Sequence, residues 1–283
     1  MEIKIQIAKK AGFCFGVKRA VELAQEAVYK YKFVYTFGPL IHNPQEVERL
    51  AKMGIKPLKA ESASANIKDG VLLLRTHGIS QELHEELFKR KDIVLIDAIC
   101  PFVKKAQDIV SKLSDTGDTI IIVGEKAHPE VVALRSYGKN CIVVENVEDV
   151  GRIPNLKNVA VVSQTTQTQA NFEAIITELK KRAQVKSFNT ICKATFERQV
   201  EADKIAMQAD AMIVVGGRNS GNTTRLAMIC EKRVKTYHIE SAKDISKDWF
   251  KEVRTVGITA GASTPDWVIK EVNEKIEEIC NGK

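Results

Sequence analysis

Short, unbroken apolar runs alternate along the chain with segments whose apolar residues recur every three or four positions. Runs such as VLLL at 71–74, TIIIV at 119–123 and AMIVV at 211–215 read as strands buried on both faces. The segments between them read as amphipathic helices, as in GVKRAVELAQEAV, where Val17, Val21, Ala24 and Val28 share one face. Strands alternating with helices predict an α/β chain with mostly parallel sheets covered on both sides.

The pattern occurs three times. IKIQIAKKAGFC, DIVLIDAIC and VKSFNTIC are strand patterns that end at Cys14, Cys100 and Cys192. Each precedes an amphipathic helix, and the cysteines stand 86 and 92 residues apart. A second strand follows in each copy (FVYTFG, TIIIVG, AMIVVGG) and leads to a polar turn. His42, His128 and Ser220 in those turns each lie 28 residues after their cysteine. Pro44 and Pro129 fit first helical turns, where a missing N–H costs nothing. A third strand (VLLLRTHG, VAVVSQTT, VGITAGAS) ends in polar groups that place His77, Thr165 and Ser263 as counterparts. The third copy lacks the strand that would follow its last helix, and residues 3–9 have no helix of their own before them. The economical solution is a closed ring of three pseudo-threefold α/β domains: 14–97, 98–190, and 191–283 completed by 1–13. Ligands in such folds bind at the carboxyl ends of strands, where all these polar groups lie.

With 283 residues, 44% apolar and 28% charged, the composition is that of an ordinary globular chain. No apolar run approaches membrane length, and the N-terminus lacks an apolar signal core. The expectation is a cytoplasmic chain that engages no membrane. Six cysteines without a C-x-x-C pair are too few for a disulfide scaffold. The net charge of +7 is spread along helices, and 6% aromatics give little to stack on bases, so no nucleic acid is expected.

Three repeat-equivalent thiols suggest a metal centre with three protein ligands. On a four-iron cluster such a set would leave one iron open. Cys141, Cys230 and Cys280 read instead as buried apolar residues. Three of the five histidines (His42, His77, His128) fall on strand-end loops and read as an anion- or proton-handling set. His84 and His238 read as structural. Ser220, Asn222 and Ser263 add donors beside helix starts. Glu130, in the first turn after His128, suits a general acid; a helix-start carboxylate complementing the dipole fits equally well. A nucleotide- or sugar-binding α/β module would leave the three cysteines unexplained. A zinc hydrolase would need a compact ligand motif that is absent.

The motifs GFCFGVKRAV, IHNPQEV, THGIS, DAICPFVKK, GEKAHPEV, SQTTQT, TICKATFERQ, NSGNTTRL and TAGASTPD, in this order, resemble the 4-hydroxy-3-methylbut-2-enyl diphosphate reductase family. The resemblance spans the chain and implies a trefoil of three α/β domains around a central cluster. It implies a [4Fe-4S] cluster held by Cys14, Cys100 and Cys192, with the open iron facing substrate. It assigns the substrate diphosphate to His42, His77, His128, Ser220, Asn222 and Ser263, proton donation to Glu130, and orientation of the substrate hydroxyl to Thr165. The implied reaction is reductive dehydroxylation to isopentenyl and dimethylallyl diphosphate, the last step of non-mevalonate isoprenoid synthesis. Electrons would come from ferredoxin or flavodoxin, and the chain would act as a monomer or weak dimer. Gly221 stands where the family commonly has a second serine, and Ile99 where it often has threonine. Some relatives carry a C-terminal RNA-binding extension, which is not expected here.

Overall fold

The strands of the computed structural model fall into three four-stranded sheets, every pairing parallel. The structure describes residues 3–58, 67, 70–154 and 156–281. In chain order the elements begin with β1 (Lys4–Ile7), α1 (Phe15–Lys30), β2 (Val34–Phe37), α2 (Pro44–Lys52), β3 (Ile55–Leu58), β4 (Val71–Leu74), α3 (Gln81–Lys89) and β5 (Val94–Asp97). Then come α4 (Pro101–Ser114), β6 (Thr119–Val123), α5 (Pro129–Ser136), β7 (Cys141–Val144), α6 (Val147–Val150), β8 (Asn158–Ser163), α7 (Gln169–Leu179) and β9 (Gln184–Ser187). The last are α8 (Lys193–Ala206), β10 (Ala211–Val215), α9 (Gly221–Glu231), β11 (Lys235–Ile239), β12 (Thr255–Ala260) and α10 (Asp266–Asn281).

The chain divides into two compact units: residues 1–15, 42–46 and 193–283, and residues 16–41 and 47–192. The larger unit holds two sheets, ordered β3-β2-β4-β5 and β7-β6-β8-β9. The smaller unit holds the third, ordered β1-β12-β10-β11. Read from its other edge this is the same sequence of connections, with β1 in the place of β5 and β9. The N-terminal strand therefore pairs with β12, Lys4 opposite Thr255 and Ile7 opposite Ile258.

Each sheet has one strand more than the three-strand plan of the repeats. β3, β7 and β11 follow α2, α5 and α9 and lie at sheet edges. Edge strands are half-covered, and IKPL and KTYHI lack the continuous apolar run of an interior strand. The interior strands match that run. All four residues of β4 and all five of β6 and β10 are buried, each large aliphatic side chain contributing about 1.5–3 kcal/mol. Helices cover both faces. In the larger unit Ala106, Val110 and Leu134 pack on one face of β6 and β8, and Phe172, Ile175 and Leu179 on the other. In the smaller unit Ala202, Ile205 and Leu226 pack on one face of β10, and Val268, Val272 and Ile276 on the other. No helix among the described residues is long and apolar enough to cross a membrane.

Candidate active site

In the larger unit, Cys100 is the N-cap of α4, followed by Pro101 at the first helical position. Its N–H donates to the Thr76 carbonyl at 3.1 Å, and the Cys192 N–H donates to the Thr165 carbonyl at 2.9 Å. The smaller unit repeats this tie: the Cys14 N–H donates to the Ala262 carbonyl at 3.1 Å. Each cysteine backbone is thus fixed to the turn that ends the third strand of a copy. The turns also match, closed by Gly78 N–H to Arg75 O, Gln167 N–H to Gln164 O and Thr264 N–H to Gly261 O. This register makes Thr166, one residue beyond Thr165, the counterpart of His77 and Ser263. The residue offsets misaligned the second copy by one because loop lengths differ between copies.

Glu130 is 2% exposed and both its oxygens are held. Oε1 accepts the Thr165 N–H at 2.6 Å, and Oε2 accepts the Thr165 hydroxyl at 2.8 Å. The Glu130 N–H in turn donates to Nδ1 of His128, the N-cap of α5, at 3.1 Å. An Nδ1 that accepts a backbone N–H carries no proton, so His128 is neutral and presents Nε2–H as its donor. The His77 and His128 rings meet edge to face, their centroids 5.6 Å apart. Sequence reasoning passed over Gln164, which is fully buried. Its Oε1 accepts the Glu125 N–H at 3.1 Å and its Nε2 donates to Thr166 Oγ1 at 3.0 Å, clamping the Glu130 loop to the Thr165 loop. Arg75, at the end of β4, turns back on its own loop: Nε donates to Gly78 O at 3.2 Å and the guanidinium lies over the Phe37 ring.

In the smaller unit, the strand-end loops of β10 and β12 and residues 42–46 lock together. Ser263 Oγ donates to the His42 carbonyl at 2.9 Å, and Thr264 Oγ1 to Val215 O at 2.9 Å. Gly217 allows the close approach, since a Cβ there would stand 2.8 Å from His42 O. Gly216 has φ +145°, and a side chain on it would strike Thr223 and Thr264. Ser220 caps α9, accepting the Thr223 N–H. Asn222 follows in the first turn, 3% exposed, with neither Oδ1 nor Nδ2 bonded to a protein partner. A buried amide left in this state is costly unless a ligand completes it. Asn43 was not singled out from sequence; its Oδ1 takes the Glu46 N–H while Nδ2 is buried without a partner. Gly221 opens α9, and Ile99 is fully buried beside Phe37 and Val103, so both departures from the family pattern sit in packed positions.

None of the six cysteines is in a disulfide. Cys14, Cys100 and Cys192 are half-buried. Burial raises the thiol pKa of Cys141 and Cys280 and pushes that of Cys230 up to about 12, which disfavours the thiolate that metal binding needs. His238 bonds Gly216 O through Nε2 at 2.9 Å, and His84 lies against Phe88, both structural roles. Among the described residues, no three His, Cys, Asp or Glu side chains are grouped as a single-ion site.

The LytB protein family model matches residues 5–277. The chain belongs to the LytB family. A relative from Geobacter metallireducens, "4-hydroxy-3-methylbut-2-enyl diphosphate reductase", is 48% identical over 99% of this chain and 99% of its own. A solved structure described as that reductase, "the Terminal Enzyme of the Non-Mevalonate Pathway", is 45% identical, with a TM-score of 0.70 over 98% of this chain and 99% of its own. The Plasmodium falciparum E-1-hydroxy-2-methyl-but-2-enyl-4-diphosphate reductase structure is 28% identical, with a TM-score of 0.88 over 98% of this chain and 88% of its own.

Proposed function

We propose that this LytB-family chain is a 4-hydroxy-3-methylbut-2-enyl diphosphate reductase. It replaces the C4 hydroxyl of its substrate by hydrogen, consuming two electrons and two protons and releasing water, to give isopentenyl and dimethylallyl diphosphate. Full-length similarity to enzymes of that name supports the reading, and the Glu130–Thr165–Cys192 connection carries it. One residue, Thr165, grips the buried acid with its N–H and hydroxyl and holds a cysteine backbone with its carbonyl.

Cys14, Cys100 and Cys192 fit the ligands of a [4Fe-4S] cluster: three half-buried thiols, outside disulfides, tied by equivalent hydrogen bonds. When bound, that cluster supplies electrons singly and an open, Lewis-acidic iron. Thr165 gives the two oxygens of Glu130 different partners. The backbone N–H can only donate to Oε1, whereas the threonine hydroxyl can donate to a carboxylate or accept from an acid, so the Oε2 contact suits Glu130 in either state. His128 contributes Nε2–H, and Ser220, Asn222, Ser263, His42 and His77 supply the remaining diphosphate contacts, with the α9 N-terminus favouring the anion. Ferredoxin or flavodoxin delivers the electrons; these are acidic carriers suited to a chain of net charge +7. Thiols that must stay reduced suit a cytoplasmic setting. We assign one domain to each sheet, over 14–97, 98–190, and 191–283 with 1–13.

The test is Glu130→Gln in the cluster-loaded enzyme. It keeps the Thr165 hydrogen bonds but cannot supply the proton, so kcat should fall about 10²–10⁴-fold while KM and iron content hold. Near wild-type turnover with an intact cluster would remove Glu130 as the proton donor. A wild-type chain that takes up no iron and sulfide under anaerobic reconstitution would remove the cluster.

A further inference from the structure

We infer that Gly16 and Arg19, on the first turn of α1, form the seat that positions the Cys100 sulfur for the cluster, an inference resting on the proposed cluster reading. Gly16 is buried in helical backbone, without the positive φ that would demand glycine. Alanine is the better helix former at such a position. The reason for glycine is space: a Cβ at Gly16 would lie 2.5 Å from Cys100 Sγ and 3.2 Å from Cys100 Cβ. The first distance is about 1 Å inside ordinary contact. The helix start therefore passes directly beneath the thiol.

Three residues on, Arg19 holds the same segment from the same helix face. Its Nη2 donates to Asp97 O at 2.9 Å and its Nη1 to Ile99 O at 3.3 Å. Asp97 Oδ1 accepts the Ile99 N–H at 3.0 Å, and the Cys100 N–H is already tied to Thr76. The turn entering Cys100 is thus fixed by the guanidinium fork, its own aspartate and the Thr76 carbonyl, and the sulfur rests on the gap left by Gly16. Gly16 also stands two residues after Cys14 in the sequence. At the corresponding places after Cys100 and Cys192 stand Phe102 and Ala194, so glycine occupies this place only in the first copy.

A methyl at Gly16 forces the Cys100 thiol to another rotamer. Without a cluster that rotation is harmless, because the remaining contact with Cys100 Cβ needs only a few tenths of an ångström of relief. With a cluster the sulfur is not free to move. Gly16→Ala should therefore leave the melting temperature and circular dichroism of the metal-free protein at or above wild type. After anaerobic reconstitution it should lose iron to a chelator at least fivefold faster and show altered g-values in the reduced-state EPR spectrum. Arg19→Lys, which replaces the two-nitrogen fork by a single nitrogen, should move the same spectrum in a smaller step. Gly151→Ala, another helical-φ glycine whose added Cβ meets nothing nearer than 3.4 Å, serves as the control without effect. Wild-type iron retention and spectrum in Gly16→Ala would overturn the seat. So would a metal-free Gly16→Ala protein that melts well below wild type, since the residue would then serve packing alone. Failure of wild type itself to bind iron and sulfide would instead strike the cluster reading.

Discussion

At the residue scale, the cysteines separate by environment. Cys14, Cys100 and Cys192 are tied to equivalent strand-end turns, whereas Cys230, on α9, is fully buried in the core. Serine at any of the first three should abolish retention of iron and sulfide, measured by metal and sulfide analysis. Cys230→Ala, which leaves no buried hydroxyl, should keep full cluster content. Asn222 separates function from stability in a second way. Its side chain is buried with both polar atoms unbonded, so it costs the free protein stability. Asn222→Leu should leave the melting temperature unchanged or higher while raising the substrate KM about tenfold or more. A lowered melting temperature with unchanged KM would make it a packing residue. His128 reads from sequence as one of an anion- or proton-handling set. Its Nδ1 accepts the Glu130 N–H, which leaves Nε2 as the ring nitrogen for a ligand.

At the element scale, three helix starts present residues of the proposed function: His128 caps α5, Cys100 precedes α4 and Ser220 caps α9. Asparagine is an equally good cap, so His128→Asn should preserve stability and weaken substrate binding, while His128→Ala should cost about 1 kcal/mol in addition. The edge strand β11 gives a pH-dependent element. Burial, then the Arg218 charge, lowers the His238 pKa below its ordinary value despite the hydrogen bond to Gly216. The unfolded chain then binds the proton first as pH falls below about 6.5. Stability is full above that value and declines as pH drops toward the folded-state pKa. Thermal melts from pH 7.5 to 5 should show this loss, and His238→Gln should remove that part of it. An unchanged slope in the variant would assign the loss elsewhere.

At the scale of the whole molecule, the N-terminal strand completes a sheet formed from the C-terminal third of the chain. β1 covers the edge of β12, and the Lys9 and Lys10 N–H groups are held by the Glu201 carboxylate at 2.9 and 2.7 Å. Arg198 holds the same segment through the Lys10 and Gly12 carbonyls. Deleting residues 1–8 turns β12 into an edge strand. Amide hydrogen exchange should then speed up in residues 255–260 and leave β6 and β8 protected. Equal acceleration in β6 and β8 would mean that the sheets unfold as one.

The sequence by itself determined the alternation of strand and helix, the threefold plan, the interior strands and the set of polar groups at their ends. Apolar periodicity and residue spacing are local properties, and the buried runs of β4, β6 and β10 can be read one segment at a time. The family motifs carried the expected roles of the cysteines, histidines and Glu130 in the same linear way. Only the tertiary structure decided the edge strands β3 and β11, because a half-covered edge strand takes its conformation from its neighbour more than from its own residues. The same holds for the Thr166 register, fixed by turn hydrogen bonds that loop lengths conceal. The Gln164 clamp and the gap at Gly16 depend on groups 39 and 84 residues apart meeting in space. Distances of that kind, more than residue types, decide which donor is satisfied and which sulfur has room.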